Sequence, residues 1–139
     1  QASEDVGNAD PMALVVATNA MNAVHMIGMP ECRYALSQAA IYVASAPKSN
    51  ASCTAIDSAL EDVRTCRDSG IPPYLRDAHY KGAKKSGYGT GYLYPHSYGG
   101  FVKQQYLPDS HKNKVYYKST SNGFESKIKD RLIRLWGKK

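Results

Sequence analysis

Residues 30–52, PECRYALSQAAIYVASAPKSNAS, decide the fold. From Cys32 to Ala46 nearly every side chain is apolar or small, with Arg33, Ser37, Gln38 and Ser45 the clear polar exceptions. A surface helix shows one apolar stripe, whereas a helix apolar most of the way round needs cover on several sides. Pro30 suits a first helical turn, where its missing N–H is not used. Pro47 stops the helix, because proline disfavours helical geometry in the residue before it. Ser49 or Asn50 then caps a second helix. The stretch therefore predicts a buried helical hairpin with a short corner at residues 46–50. The small residues Ala35, Ala39, Ala40, Ala44 and Ala46 would let neighbouring helices approach closely.

Upstream, Asp10-Pro11 is a helix start, with the aspartate as cap and the proline in the first turn. The helix runs to Gly28, which can take the left-handed position at its end. Leu14, Ala17, Met21, Val24 and Ile27 recur at helical spacing and predict an inner face. His25 lies beside that stripe as a packed or rim histidine. The polar leader at residues 1–8 reads as the edge of an excised domain, and its acidic start is not that of a secretory signal. Downstream, residues 49–67 predict a third helix. Ile56, Ala59, Leu60 and Val63 face inward, while Asp57, Glu61, Asp62 and Arg64 face water. Such exposed carboxylates are commonly just solvated rather than a metal or acid–base cluster.

At Asp68-Ser69-Gly70-Ile71-Pro72-Pro73 the chain breaks and its composition changes. Nine of the 11 tyrosines follow Pro73, interleaved with Gly and Lys. Residues 77–85 predict a short helix interrupted by Gly82. Gly87-Tyr88-Gly89 lacks the third glycine and the flanking strand and helix of a dinucleotide fingerprint. His96 and His111 have no second ligand at metal-site spacing and no nearby nucleophile. A final amphipathic helix, FESKIKDRLIRLW, sets Phe124, Ile128, Leu132 and Leu135 on one face and Lys127, Lys129, Arg131 and Arg134 on the other.

The totals frame these elements. A length of 139 residues makes one domain, and the longest apolar run is too short to span a bilayer. Cys32, Cys53 and Cys66 are odd in number and lack CxxC spacing, which argues against a disulfide framework or a zinc site and for reduced thiols packed as small hydrophobes. Residues 1–70 hold 4 Lys/Arg against 8 Asp/Glu, and residues 71–139 hold 14 against 4. That asymmetry permits, without establishing, contact of the second half with nucleic acid or an acidic partner.

Two sequence blocks are specific. Residues 3–11, SEDVGNADP, and residues 42–50, YVASAPKSN, closely resemble the C-terminal region of the RarA/MgsA family, the replication-associated recombination AAA+ ATPases related to Werner-helicase-interacting protein. Further matches follow in order: Pro73-Tyr74-Leu75-Arg76-Asp77-Ala78, Gly87-Tyr88-Gly89, Tyr94-Pro95-His96, Gln105-Tyr106-Leu107-Pro108, Tyr116-Tyr117 and Gly123-Phe124-Glu125. The resemblance covers essentially the whole chain, with departures at Gly99-Gly100 and residues 79–85. It implies an all-α helical bundle similar to the post-AAA+ oligomerisation domains of clamp-loader subunits. Residues 1–139 would form one such domain, with a helical core at 10–68, a Tyr/Gly-rich basic loop region at 70–120 and a C-terminal helix at 122–136.

The resemblance also implies assembly, typically as a homotetramer, in a cytoplasmic parent ATPase that works at stalled forks with DNA and single-strand-binding protein. ATP and Mg belong to the parent's ATPase domain. This chain has no GxxxxGK[ST] loop, no cofactor of its own and no enzymatic role by itself. Two functions compete. As a self-association module, the chain would use Leu36, Ala40, Val43, Ala44 and Pro47 as an interface. As a nucleic-acid-binding or single-strand-binding-protein-docking module, it would use the basic Tyr-rich second half, with Lys81, Lys84, Lys85 and Lys103 along phosphates and Tyr88, Tyr92 and Tyr98 stacking on bases in the nucleic-acid case.

Overall fold

The computed structural model describes residues 1–66 and 70–137, with the side chain of Lys84 left out. Arg67, Asp68 and Ser69, where the third helix and the break were expected to meet, lie outside the described residues. The architecture is all-helical: α1 (Met12–Ile27), α2 (Arg33–Ser45), α3 (Ala51–Thr65) and α4 (Glu125–Trp136). Among the described residues there is no strand, and no helix is long and apolar enough to cross a membrane.

Asp10 starts α1 as expected. Its backbone is extended and its Oδ1 accepts the Met12 N–H at 3.0 Å, satisfying a donor that the first turn leaves open. Gly28 closes the helix at φ 75°, its N–H bonded to the Val24 carbonyl. The chain turns through residues 29–32, so α2 begins at Arg33, three residues beyond the proline expected in its first turn. Ala46 is extended before Pro47 and ends α2. The Lys48 ammonium folds back onto the Val43 and Ala44 carbonyls, a cation on the negative end of the helix.

α1 and α2 pack together through small side chains. Ala13 and Ala20 on α1, and Cys32 and Ala39 at and within α2, are buried. Tyr42 ties the pair by donating to Asp10 Oδ2 at 2.8 Å. That hydrogen bond, with burial, raises the phenol above its ordinary value, so the hydroxyl stays a donor.

Three sequence expectations fail here. The expected packing of residues 30–52 as a buried hairpin with α3 is replaced by packing of α2 on α1, because the extended corner carries α3 away. Ser49 N–H bonds the Asp5 carbonyl, and α3 packs on the N-terminal segment at residues 2–9. α2 is covered on one face only. Leu36, Ala40, Ile41 and Ala44 are exposed, Leu36 by 44%. The inner faces proposed for α1 and α3 are largely uncovered: Leu14, Met21, Ile27, Ile56, Leu60 and Val63 are exposed, while Ala17, Val24 and Ala59 are half-buried. Periodicity located the stripes, but alanines won the contacts, since helices meeting through alanine approach more closely than leucine stripes allow.

The second half wraps this frame in short turns. The helix expected at residues 77–85 shrinks to a 3₁₀ turn at Ala83–Ser86. Ahead of it, the Asp77 carboxylate takes the backbone N–H and the ring of His79. Tyr74 donates to the Gln105 carbonyl, and Trp136 at the end of α4 meets Phe101 edge-on at 5.0 Å. These contacts hold the loops without a ladder.

Candidate functional site

The densest polar constellation is built from residues far apart in the chain. Glu125, the first residue of α4, is fully buried. Its Oε2 accepts from Ser49 Oγ at 2.8 Å, the Thr120 backbone N–H at 2.8 Å and Thr120 Oγ1 at 2.6 Å. Its Oε1 accepts from the Tyr117 hydroxyl at 2.8 Å. Burial pushes the carboxyl pKa up, but the donors of Thr120, Tyr117 and Ser49 outweigh it and hold the group below its ordinary value. Burial and the Glu125 carboxylate together raise the Tyr117 phenol, keeping it a donor.

Around this carboxylate four of the quoted sequence blocks meet, those at residues 3–11, 42–50, 116–117 and 123–125. Ser49 Oγ also accepts the Ala51 N–H and so caps α3 while it donates to Glu125. Asn8 reaches Ser52 Oγ at 3.2 Å and the Tyr117 hydroxyl at 3.5 Å. Asn122 donates to the Lys48 carbonyl, and Phe124 N–H to the Ala9 carbonyl at 2.7 Å. Gly123, at φ 51°, lies so close to Ala9 and Pro47 that a Cβ would run into both. The result is a clasp joining the N-terminal segment, the 46–50 corner and α4. Glu125 is fully buried and the Ser49, Thr120 and Tyr117 hydroxyls are all committed to it, so the clasp ties segments of the chain together. Sequence reasoning passed over Glu125. The available signal was an acid at the first position of an amphipathic helix behind a glycine, a place the helix dipole favours.

A second cluster corrects the expectation that Asp62 faces water. Lys114 Nζ bonds both its oxygens at 2.6 and 2.7 Å, and the Tyr116 hydroxyl donates to Oδ2 at 2.8 Å. The Lys114 and Tyr116 hydrogen bonds lower the Asp62 pKa, against burial. His111 Nε2 lies 3.8 Å from Oδ2. Asp57 and Glu61 are exposed, and among the described residues no group of His, Cys, Asp or Glu could hold a metal ion.

The candidate interface residues lie together along α2 and its corner. Leu36, Ala40, Ala44 and Pro47 are exposed and Val43 is half-buried. Val43 and Ala44 also line an open cleft of about 640 Å³ beside the clasp, with Lys48 and Thr120. The candidate nucleic-acid residues are scattered. Lys81, Lys85 and Lys103 are exposed, while the Lys84 side chain lies outside the described residues. Tyr88 is half-buried under the Arg76 guanidinium, 5.0 Å from its ring centre, with Tyr80 edge-on. Tyr92 and Tyr98 are exposed, and among the described residues no ring contact joins the three.

Comparison with known proteins matches these blocks to one family. The family described as MgsA AAA+ ATPase C terminal matches residues 1–136. Replication-associated recombination protein A of Bacillus subtilis is 46% identical over 138 residues, covering 96% of this chain and 33% of that protein. The Escherichia coli K12 protein of the same name is 42% identical over 136 residues, covering 96% and 30%. ATPase WRNIP1 of Dictyostelium discoideum is 41% identical over 118 residues, covering 84% and 14%. The chain thus spans a third or less of the length of these relatives. With residues 1–136 matched and four of the quoted blocks meeting around Glu125, the chain belongs to the MgsA AAA+ ATPase C-terminal family.

Proposed function

We propose that this chain is the self-association module of a replication-associated recombination ATPase, assembling as a homotetramer in the maintenance and repair of replication forks. One observation carries the reading: the chain leaves its best apolar surfaces uncovered. Among the described residues, the buried hydrophobic side chains are six alanines, Val6, Val102 and Cys32. The large side chains of α1, α2 and α3 face outward instead, with Met21 54% and Ile41 67% exposed. A chain of this length ordinarily buries a larger core. Exposed apolar side chains in this number are the raw material of a protein interface. Burying the exposed half of each Leu, Ile or Met returns about 1 kcal/mol, so several together offset the cost of association.

In this reading Leu36, Ala40, Val43, Ala44 and Pro47 lie in the contact between copies. The module itself is not an enzyme; ATP and Mg act in the ATPase domain of the parent protein. DNA and single-strand-binding protein are reached through that full-length, cytoplasmic protein. The names of the relatives, replication-associated recombination protein A among them, support the setting. Sedimentation velocity of the wild-type chain and of Leu36→Asp tests the interface. The wild type is expected to sediment as an oligomer and the variant, with unchanged helix content, as a smaller species. Equal sedimentation of the two would remove this face from the assembly.

The nucleic-acid reading has exposed lysines in its favour. It loses support at Tyr88, whose ring is already occupied by Arg76 and Tyr80.

A further inference from the structure

A groove beside α4 shares Tyr117 with the clasp and is lined by no described residue of α1, α2 or α3. Leu107, Val115, Leu132, Ile133 and Trp136 form its walls, and its volume is about 410 Å³, in the range of sites that hold a few side chains of a ligand. Among the described residues no Asp or Glu lines it, and the charged ones that do are Lys112 and Lys114. Lys114 is held by Asp62. Lys112 is exposed, and among the described residues its ammonium has no partner. Gln104 also lines the groove, and its Nε2 is buried without an acceptor. An unpaired buried donor is unfavourable, and an acceptor brought by a ligand would remove that penalty. The surrounding sequence is strongly basic, with 14 Lys/Arg against 4 Asp/Glu in residues 71–139.

We propose that this groove docks a short acidic peptide segment of another protein, one that places an aliphatic or aromatic side chain between carboxylates. The apolar side chain fills the space between α4 and residues 107–115. A carboxylate pairs with Lys112, and a peptide carbonyl accepts from Gln104. Apolar walls with a one-sign rim give this combination of anchor and charge. A nucleobase fits less well. The Trp136 ring is engaged edge-on by Phe101 at 5.0 Å and by Tyr106 at 6.2 Å, and the two tyrosines lining the groove are tied by their hydroxyls, Tyr106 to the Val102 carbonyl and Tyr117 to Glu125, whereas bases stack on open aromatic faces.

Trp136 is the chain's one tryptophan and lines the groove, so its emission reports occupancy directly. The intact chain is titrated with a capped hexapeptide holding a leucine–phenylalanine pair between two aspartate pairs. Parallel titrations use the same peptide with serines for the apolar pair, and an oligothymidylate. The proposal expects a saturable emission change with the first peptide. Binding should be about tenfold weaker or worse with the serine peptide and with Lys112→Glu. Gln104→Leu should melt at or above the wild-type temperature yet bind several-fold more weakly, separating a ligand contact from a structural one. Circular dichroism establishes that both variants are folded. The proposal is overturned by the absence of a saturable change, by equal affinity for the serine peptide, or by unaltered binding in Lys112→Glu. An emission change with oligothymidylate alone would assign the groove to nucleic acid. A change with chain concentration alone would assign it to a second copy. Either result would overturn the peptide assignment.

Discussion

At the residue scale, the molecule turns on one carboxylate. Glu125 is fully buried, and four donors from three residues, Ser49, Tyr117 and Thr120, converge on it. Removing its charge leaves those donors facing a weaker acceptor, and breaking a buried charged network is expensive. Glu125→Gln is therefore expected to lower unfolding stability by about 2–4 kcal/mol, measured by urea titration. The pH dependence follows from the same bonds. The folded-state pKa lies below the ordinary value of 4.5, so this stabilisation is fully present above that value and is lost as pH falls through the lower folded one. Wild-type stability should decline in that acid window, and Glu125→Gln should show less of the decline. Gly123 tests the clasp sterically. Gly123→Ala adds strain at a positive φ and a collision with Ala9 and Pro47, and is expected to cost at least about 3 kcal/mol in the same titration. Little of this was legible beforehand. The blocks holding Ser49, Tyr117 and Glu125 stand out by resemblance, but their sequence separations do not say that they meet. A buried glutamate has no local signature either, because only the assembled fold supplies its donors.

At the scale of elements, the sequence was read more successfully for boundaries than for faces. The start of α1 at Asp10-Pro11, the stop of α2 before Pro47 and the cap of α3 at Ser49 all rest on local backbone chemistry, which adjacent residues specify. Which face is covered depends on which partner arrives. Hydrophobic periodicity assigned Leu14, Met21, Ile56 and Val63 to an interior, and the chain instead buries Ala13, Ala20 and Ala39. The leucine and methionine stripes are left for a surface outside the chain. This gives a prediction specific to α2. Ala40 is exposed, so Ala40→Trp fits on the single chain without overpacking and should retain its helix content by circular dichroism. Against a second copy the indole would overpack a close contact. Loss of mass in solution with unchanged helicity is the expected result, and full assembly would count against Ala40 as a contact. The Asp62 cluster makes a complementary case. Lys114→Ala should loosen residues 111–116 from α3 and lower the melting temperature, leaving the proposed interface on α2 untouched.

At the scale of the whole molecule, the clasp and the outward apolar faces divide the work. The clasp fixes the N-terminal segment, the corner at residues 46–50 and α4 as one frame. α1, α2 and α3 present on that frame more apolar surface than the thin alanine-rich core can use. In the proposed assembly, symmetric association would supply the missing cover, and closed symmetry would limit its growth. The charge asymmetry between the two halves adds a second criterion. Contacts with phosphates weaken steeply as salt rises, because counterions are released on binding, whereas burial of apolar surface does not. The most direct measurement is the solution mass of the chain by light scattering at low and at high salt. Self-association through apolar faces is expected to give a mass near four times the 15.2 kDa of one chain, unchanged by salt. A mass of one chain in both conditions would contradict it.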